Sequence, residues 1–314
     1  MHSPHEPRVH ILLASYQGAA HIGAQLASIA AQTHGNWHLT ISDDGSADDT
    51  LAICQAFAAQ HPRHTVRLIE GPRQRSTANF FHLLRTVAPA SDDELFAFCD
   101  QDDVWMPDKL TRAISALRNL QPAAGQAALY AARTQLVDEQ LRPMGFSEQP
   151  MRPLGFGNAL LQNVGSGNTM VFNAAARNLL RQAGSQAVVS HDWWVYMLVS
   201  GAGGQICYTT VPSVDYRQHG GNLIGANTSW RDRQHRIKRM LAGHFKGWNE
   251  LNLAALEQCQ ALLTEPHRQV MHRFAEARRA RLPRRCLGVL RSGVYRQTWL
   301  GNLGLVVATF LGKL

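Results

Sequence analysis

The sequence contains few cysteines and no long apolar segment. Its 314 residues include five cysteines, all isolated along the chain and none in a CxxC pair. This pattern argues against a disulfide framework and a cysteine-ligated zinc site, and it is typical of a reducing compartment. No apolar run reaches the roughly 18 residues that a membrane span needs. The N-terminus shows no basic-then-apolar signal peptide, so the sequence predicts a cytoplasmic protein.

Acidic residues are scarce in the last quarter of the chain. Residues 231–314 hold sixteen Lys/Arg against five Asp/Glu, whereas the first 230 hold fifteen against eighteen. Few aromatic residues lie among these basic residues, so nucleic acid is not expected as a partner. Arginine-rich segment 278–296 precedes the short apolar segment 298–314. This order fits a peripheral anchor on an anionic membrane surface, and an ordinary core or oligomer helix fits it equally well.

Apolar strand-like runs alternate with helical patterns in the first hundred residues. The predicted strands are Val9–Ala14, Trp37–Ile41, Val66–Ile69 and Leu95–Cys99. This order predicts an α/β fold with a mostly parallel sheet, flanked by helices and joined by right-handed crossovers. We assign residues 1–228 to this domain. Residues 229–314 are predicted to be a basic helical region that serves as a membrane-interface or oligomerisation element.

Polar clusters follow three of the predicted strands. They are Ser15-Tyr16, Asp43-Asp44 and Asp100-Gln-Asp102. Ligands of such sheets bind at the carboxyl ends of the strands, so we expect the three clusters to meet at one edge. Ser46 is predicted to cap the helix that follows the second cluster.

Three carboxylates lie within four residues after the fourth predicted strand, at Asp100, Asp102 and Asp103. Packing like charges so closely costs hydration and repulsion, so a bound cation is predicted there. Oxygen ligands favour Mg²⁺ or Mn²⁺ over zinc.

Six segments, in order along the chain, resemble motifs of the inverting glycosyltransferases of family 2, which have the GT-A fold. The resemblance is strongest to rhamnosyltransferase-like members that build bacterial surface polysaccharides. The segments are Leu12–Gly18, Ile41–Ser46, Phe98–Trp105, Asn163–Asn168, His191–Trp194 and Tyr216–Asn222.

The resemblance implies a site for a nucleotide-sugar donor, with dTDP-L-rhamnose as the expected donor. Ser15 and Tyr16 would cradle the nucleotide, and Asp43 would accept a hydrogen bond from the pyrimidine N3–H. Asp100 would reach the ribose, or the metal through water. Arg217 would contact the diphosphate.

The resemblance also implies the metal ligands and the base. Asp102 of the DxD motif would bind Mn²⁺ or Mg²⁺, and His219 would complete the metal shell. Asp192 would remove the proton of the acceptor hydroxyl. Many relatives carry Glu-Asp at this place, whereas this sequence has His191 before Asp192, which leaves open which side chain titrates.

Four further residues are assigned by resemblance to the acceptor and sugar side: Asp103, Gly167, Asn168 and Trp193. Asp103 would face the sugar or help to hold the metal, and Trp193 would stack on a sugar ring. The acceptor is expected to be a hydroxyl of a glycan or of a lipid-linked glycan at the inner face of the cytoplasmic membrane.

Two other functions fit parts of the sequence. The run from Asp100 to Val104 satisfies the DxDx(V/T) pattern of haloacid-dehalogenase-type phosphatases, in which Asp100 would be the nucleophile and Asp102 the acid/base. That class carries its motif on the first strand, and here three predicted strands precede it. A non-catalytic nucleotide-sugar binder would lack the metal carboxylate or the base, and candidates for both are present. Glycosyl transfer is therefore the favoured function.

Overall fold

A computed structural model of the chain describes residues 6–218 and 244–314. These residues divide into two compact units. The first comprises 6–147, 165–185 and 207–218, and the second comprises 148–164, 186–206 and 244–314. The boundary predicted between 228 and 229 lies outside the described residues. The second unit also includes two earlier stretches of the chain, which the prediction assigned to the first domain.

The strands of the described residues are β1 (Val9–Ser15), β2 (Trp37–Asp43), β3 (Thr65–Glu70), β4 (Leu95–Cys99), β5 (Val104–Trp105), β6 (Ala128–Val137), β7 (Pro143–Phe146), β8 (Val171–Asn173) and β9 (Gln205–Arg217). The α-helices are α1 (Ile22–Ala30), α2 (Thr50–Gln60), α3 (Arg75–Thr86), α4 (Lys109–Leu120), α5 (Phe156–Ala159), α6 (Ala174–Ala183), α7 (His191–Gly201), α8 (His244–Gln258), α9 (Glu265–Arg279), α10 (Arg284–Arg291) and α11 (Trp299–Phe310).

The described strands form one sheet that is parallel in its first half and antiparallel in its second. Its nine strands follow the order β3-β2-β1-β4-β8-β6-β9-β5, with β7 paired to β6. β1 pairs in parallel with β2 and β4, and β2 pairs in parallel with β3. β8 runs antiparallel to β4 and β6. The predicted α/β fold class and the parallel order of the first four long strands are confirmed.

Continuous apolar sequence explains why the central strands are covered on both faces. Ile11, Leu12 and Leu13 of β1 are all fully buried, although successive side chains of a strand point to opposite faces. Leu26 of α1 and Ile114 of α4 belong to the same core cluster as Ile11 and Leu13. The strands of a parallel sheet covered by helices have this makeup. The predicted polar clusters therefore lie at the carboxyl ends of strands that are buried in the core.

Helices make up most of the second unit. In α7, the side chains from Trp193 to Val199 are all buried. α9 and α10 pack closely, because a Cβ on Gly288 would lie 2.7 Å from the Cβ of Ala277. The described part of the predicted basic region is helical from α8 to α11. Within 6–218 and 244–314, we find no helix with the length and apolarity to cross a bilayer.

Candidate active site

Side-chain hydrogen bonds join the carboxyl ends of β1 and β2. Ser15 and Asp43 are register partners, and the Ser15 Oγ donates to Asp43 Oδ1 at 2.9 Å. Asp43 also accepts from the Ser46 Oγ at 2.6 Å and from the backbone N–H groups of Gly45 and Ser46 at 3.1 and 2.7 Å. A carboxylate has about four acceptor sites, so these bonds fill them. A pyrimidine N3–H would have to replace one of these donors.

The turn after β1 is held by side chains from two neighbouring loops. The Tyr16 N–H donates to Gln101 Oε1 at 2.8 Å, and the Gln17 N–H donates to Ser46 Oγ at 2.8 Å. Ser46 was predicted to cap α2, but that helix begins at Thr50, because Ser46 is drawn into the bonds with Asp43 and the turn. The Tyr16 side chain is 56% exposed, so its ring is available to a ligand.

Asp44 fixes the loop between β3 and α3. Its Oδ1 accepts from the Arg73 N–H at 2.6 Å, and its Oδ2 accepts from the Arg75 N–H at 2.8 Å. Both arginines have left-handed backbone, with φ of 58° and 73°, a conformation that non-glycine residues adopt only when other contacts impose it. Asp44 supplies that constraint. Both arginine side chains are exposed near the carboxyl end of β2.

Gln101 joins the acidic loop to the turn after β1. Its side-chain amide accepts from the Tyr16 N–H at 2.8 Å and donates to the Tyr16 carbonyl at 2.9 Å. The flanking carboxylates of Asp100 and Asp102 are half-buried. The sequence prediction gave Gln101 no role. Its position between two carboxylates, directly after a strand, was the feature of the sequence that could have indicated a role.

Asp103 occupies a different environment from Asp100 and Asp102. It is fully buried, accepts from the Asn168 side-chain amide, and accepts from the Arg217 backbone N–H at 3.2 Å. Burial raises the pKa of Asp103 well above its usual range, and the charges of Asp102 and Asp100 raise it further. The structure therefore places Asp103 in a supporting position, beneath the surface where a sugar or metal contact was predicted.

Arg217 supports the acidic loop from the end of β9. Its side chain is buried, its Nε donates to the Asp102 backbone carbonyl at 3.0 Å, and its Nη1 donates to the Glu139 carbonyl. A diphosphate contact was predicted for this guanidinium. Two of its donors bind backbone oxygens, those of Asp102 and Glu139.

Lys109 is a buried lysine near the acidic loop that the sequence prediction missed. Its Nζ makes no hydrogen bond to the described residues and lies 4.1 Å from the centre of the Trp105 ring. Burial lowers its pKa to about 7, against an opposing effect of Cys99 and Asp103. Lys109 is the first residue of the amphipathic helix α4, a position that gave no reason to expect a buried side chain.

The donor set at this edge fits a divalent cation. Asp100 and Asp102 offer hard oxygen atoms, and Mg²⁺ is commonly held by one or two carboxylates together with substrate phosphates. Among the described residues no group of three or more His, Cys, Asp or Glu side chains could hold a metal ion. His219, the predicted third ligand, lies outside the described residues. The fit therefore rests on two protein carboxylates.

The predicted base lies in the second unit, in the first turn of α7. Asp192 Oδ1 accepts from the Ser190 Oγ at 2.5 Å and from the Trp193 N–H at 2.7 Å. His191 is buried, and burial lowers its pKa to about 4, against the opposing charge of Asp192. His191 is therefore neutral near pH 7.

Both tryptophans after Asp192 are buried. Trp193 donates its Nε1–H to the Ala159 carbonyl at 2.7 Å, and its ring lies edge-on to Trp248. Trp194 has no exposed surface. The sugar-stacking surface predicted for Trp193 is thus absent in the described conformation, since helix packing covers the ring.

The second acceptor-side segment is a short 3₁₀ turn over Gly167–Thr169. Gly167 and Asn168 are both buried. The turn carries Asn168 to the buried carboxyl of Asp103, so this segment belongs to the support of the acidic loop.

The α/β architecture, with a sheet that is parallel in its first half, is that of the GT-A fold. The chain belongs to the family described as "Glycosyltransferase like family 2", whose model matches residues 7–235. This membership argues against the phosphatase alternative, because it accounts for an acidic motif that follows β4.

Relatives with known names agree with this class. The chain is 27% identical to the dTDP-rhamnosyl transferase RfbG of Shigella flexneri over 231 residues, which are 72% of this chain and 78% of that protein. Two solved structures share the fold. One is the mannosyltransferase PcManGT of Pyrobaculum calidifontis with GDP-Man and Mn²⁺, at TM-score 0.51, 19% identity and coverage of 99% and 88%. The other is S. aureus TarS 1-349 with UDP-GlcNAc, at TM-score 0.53, 13% identity and coverage of 92% and 93%.

Proposed function

We propose that this glycosyltransferase is metal-dependent and inverting, and that it transfers L-rhamnose from dTDP-L-rhamnose. The acceptor is a hydroxyl of a glycan or a lipid-linked glycan in surface polysaccharide synthesis, reached by a cytoplasmic enzyme peripheral to the inner membrane face. The name of the RfbG relative supports the donor, and the Mn²⁺ in the PcManGT structure supports a divalent metal.

The observation that carries the proposal is that different residues of the acidic loop are bonded and exposed. The Gln101 side chain bonds to the Tyr16 backbone and Arg217 bonds to the Asp102 carbonyl, while Asp100 and Asp102 are partly exposed. A loop held in this way, with two partly exposed carboxylates, supports a preorganised cation site. A divalent ion bound there would neutralise the negative charge of the departing diphosphate.

Asp192 acts as the general base in this proposal. As the acceptor oxygen attacks the anomeric carbon, its proton passes to an Asp192 carboxylate oxygen, and the bond from that carbon to the diphosphate oxygen breaks. Attack opposite to the leaving group inverts the configuration. The bonds from Ser190 and Trp193 fix Asp192 Oδ1 at the start of α7, which holds the carboxylate in one orientation.

Donor binding is tested by thermal shift with dTDP-L-rhamnose, UDP-GlcNAc and GDP-mannose, each with and without Mn²⁺. We expect the largest metal-dependent stabilisation with dTDP-L-rhamnose. Asp102→Asn should abolish the part that depends on Mn²⁺. Asp108→Asn is the matched control, because Asp108 is exposed on the same segment. Equal stabilisation of Asp102→Asn and the native chain would contradict the metal assignment.

The base is tested by transfer of radiolabelled rhamnose to a lipid-linked acceptor. Asp192→Asn should retain donor binding and lose at least about a hundredfold in rate, the usual contribution of a general base. Near-normal transfer by Asp192→Asn would show that another group takes the proton. Metal-dependent donor binding by the native chain with no transfer to any acceptor would support the non-catalytic binder.

A further inference from the structure

Helix α11 in the second unit presents large apolar side chains to solvent. Six of them are 41% to 74% exposed. They are Trp299, Leu300, Leu303, Val306, Val307 and Phe310, which we call the α11 face. Their spacing of three and four residues places them along one side of the helix. A surface helix normally turns such a stripe toward the protein core.

The opposite side of α11 packs inward and carries one leucine among small and polar residues. Leu305, Ala308 and Thr309 are buried there. Asn302 donates to the backbone carbonyls of Arg296 and Thr298 at 2.8 Å each, and its Oδ1 accepts from the Arg296 N–H at 2.9 Å. The two bonds with Arg296 tie the first turn of the helix to the segment before it. Rolling the α11 face inward would break these two bonds.

The positive charge around the α11 face indicates which partner covers it. Residues 277–314 contain eight Lys/Arg and no Asp or Glu. Arg284 and Arg291 of the neighbouring helix α10 are exposed, as is Lys313 after α11. α10 also exposes Leu287 and Leu290. Exposed apolar side chains beside cations, with no acidic residue among them, match the boundary between acyl chains and anionic headgroups.

A second copy of the chain is a poorer occupant of the α11 face. Joining two such faces would bring two sets of arginines together without counter-charges, and like-charge contacts disfavour an interface. The 12 residues of α11 span about 18 Å, which is too short to cross the roughly 30 Å hydrocarbon core. Trp299 near the N-terminal end is the residue type found at membrane–water interfaces.

We infer that α11 lies in the plane of an anionic bilayer, with the α11 face inserted among acyl chains and the arginines of α10 on lipid phosphates. The membrane was already a partner in the proposed function, and α11 is the element that we assign to it. Only the connection to a lipid-linked acceptor rests on the proposed function. Vesicle binding is measured without sugar transfer, so either idea can fail while the other holds.

The test is flotation of the full chain with phosphatidylcholine vesicles that contain 0% or 30% phosphatidylglycerol. We expect binding to the anionic vesicles to be at least about tenfold tighter and to weaken as salt rises. Leu303→Gln/Phe310→Gln should lose about tenfold or more in vesicle affinity. Met144→Gln/Met151→Gln is the matched control and should bind like the native chain, because these exposed methionines lie outside the α11 face.

A charge variant separates the phosphate contacts from apolar insertion. Arg284→Gln/Arg291→Gln should bind anionic vesicles several-fold more weakly and neutral vesicles unchanged, whereas Arg63→Gln/Arg67→Gln should bind as the native chain does. All these side chains are exposed, so circular dichroism should show unchanged folding. Asp192→Asn should bind vesicles normally.

Two outcomes would overturn the inference. One is native affinity of Leu303→Gln/Phe310→Gln for anionic vesicles. The other is no flotation of the native chain together with a concentration-dependent dimer in sedimentation velocity that the same double variant abolishes. That second result would assign the α11 face to another copy of the chain.

Discussion

Replacing the buried Lys109 by methionine should stabilise the protein. The Lys109 side chain is fully buried, its Nζ has no hydrogen-bond partner in the described part of the chain, and burial lowers its pKa from 10.5 to about 7. The unfolded chain keeps this lysine charged near neutral pH. Unfolding therefore takes up a proton, which favours the unfolded state.

The magnitude follows from the two pKa values. At about 1.4 kcal/mol per pH unit, the difference between 10.5 and about 7 costs the folded state about 4 kcal/mol at pH 7.5. Lys109→Met keeps an unbranched side chain of similar length, so we expect the free energy of unfolding at pH 7.5 to rise by about 3 to 4 kcal/mol.

The sign of the pH dependence gives a sharper test. Because the folded-state pKa is lowered, the contribution of Lys109 to stability is least favourable below pH 7 and improves until pH 10.5. The advantage of Lys109→Met should therefore shrink by about 2 to 3 kcal/mol between pH 7.5 and 9.5. Other titrating groups are common to both proteins and cancel in the difference.

Urea unfolding at pH 7.5, 8.5 and 9.5 measures this difference. Lys246→Met is the control, because Lys246 is exposed, and its effect should stay within about 0.5 kcal/mol at every pH. An advantage of Lys109→Met that does not change with pH would refute the reasoning, as would destabilisation. Either result would mean that the folded protein holds Lys109 charged and compensated.

Two further predictions concern the loops at the site. Gly71→Ala should weaken dTDP binding in calorimetry, because its Cβ would lie 2.8 Å from the Asp43 carbonyl oxygen and displace the loop, whereas Gly35→Ala, with no atom within 4 Å of its Cβ, should bind normally. Ser190→Ala removes the 2.5 Å hydrogen bond to Asp192, so kcat should fall about tenfold with little change in the donor KM; a change confined to KM would instead assign Ser190 to donor binding.

The sequence predicts the parts of the fold that depend on local pattern. The apolar runs at β1 and β4 fall where the structure has buried parallel strands, because complete burial of a strand requires apolar residues on both faces. The polar clusters that begin at Ser15, Asp43 and Asp100 lie at strand ends, because each cluster follows the end of an apolar run. Topology then brings Ser15 to Asp43 and Gln101 to Tyr16.

The roles of single side chains depend on distant neighbours, which local pattern does not contain. Asp103 is adjacent to Asp102 in sequence, yet Asn168 and Arg217 remove it from the surface. Trp193 follows the predicted base, but packing with Trp248 buries its ring. The second unit is assembled from three separate stretches of chain, so its boundary has no single position in the sequence.

Carboxylates that are neighbours in sequence thus have different environments at one edge of the sheet. Asp100 and Asp102 stay partly exposed. Burial raises the pKa of Asp103, and the nearby Asp102 and Asp100 raise it further, which favours its protonated form. A protonated Asp103 would lower the repulsion within the loop. The acidic loop therefore buries one carboxyl group and leaves two at the surface for a cation.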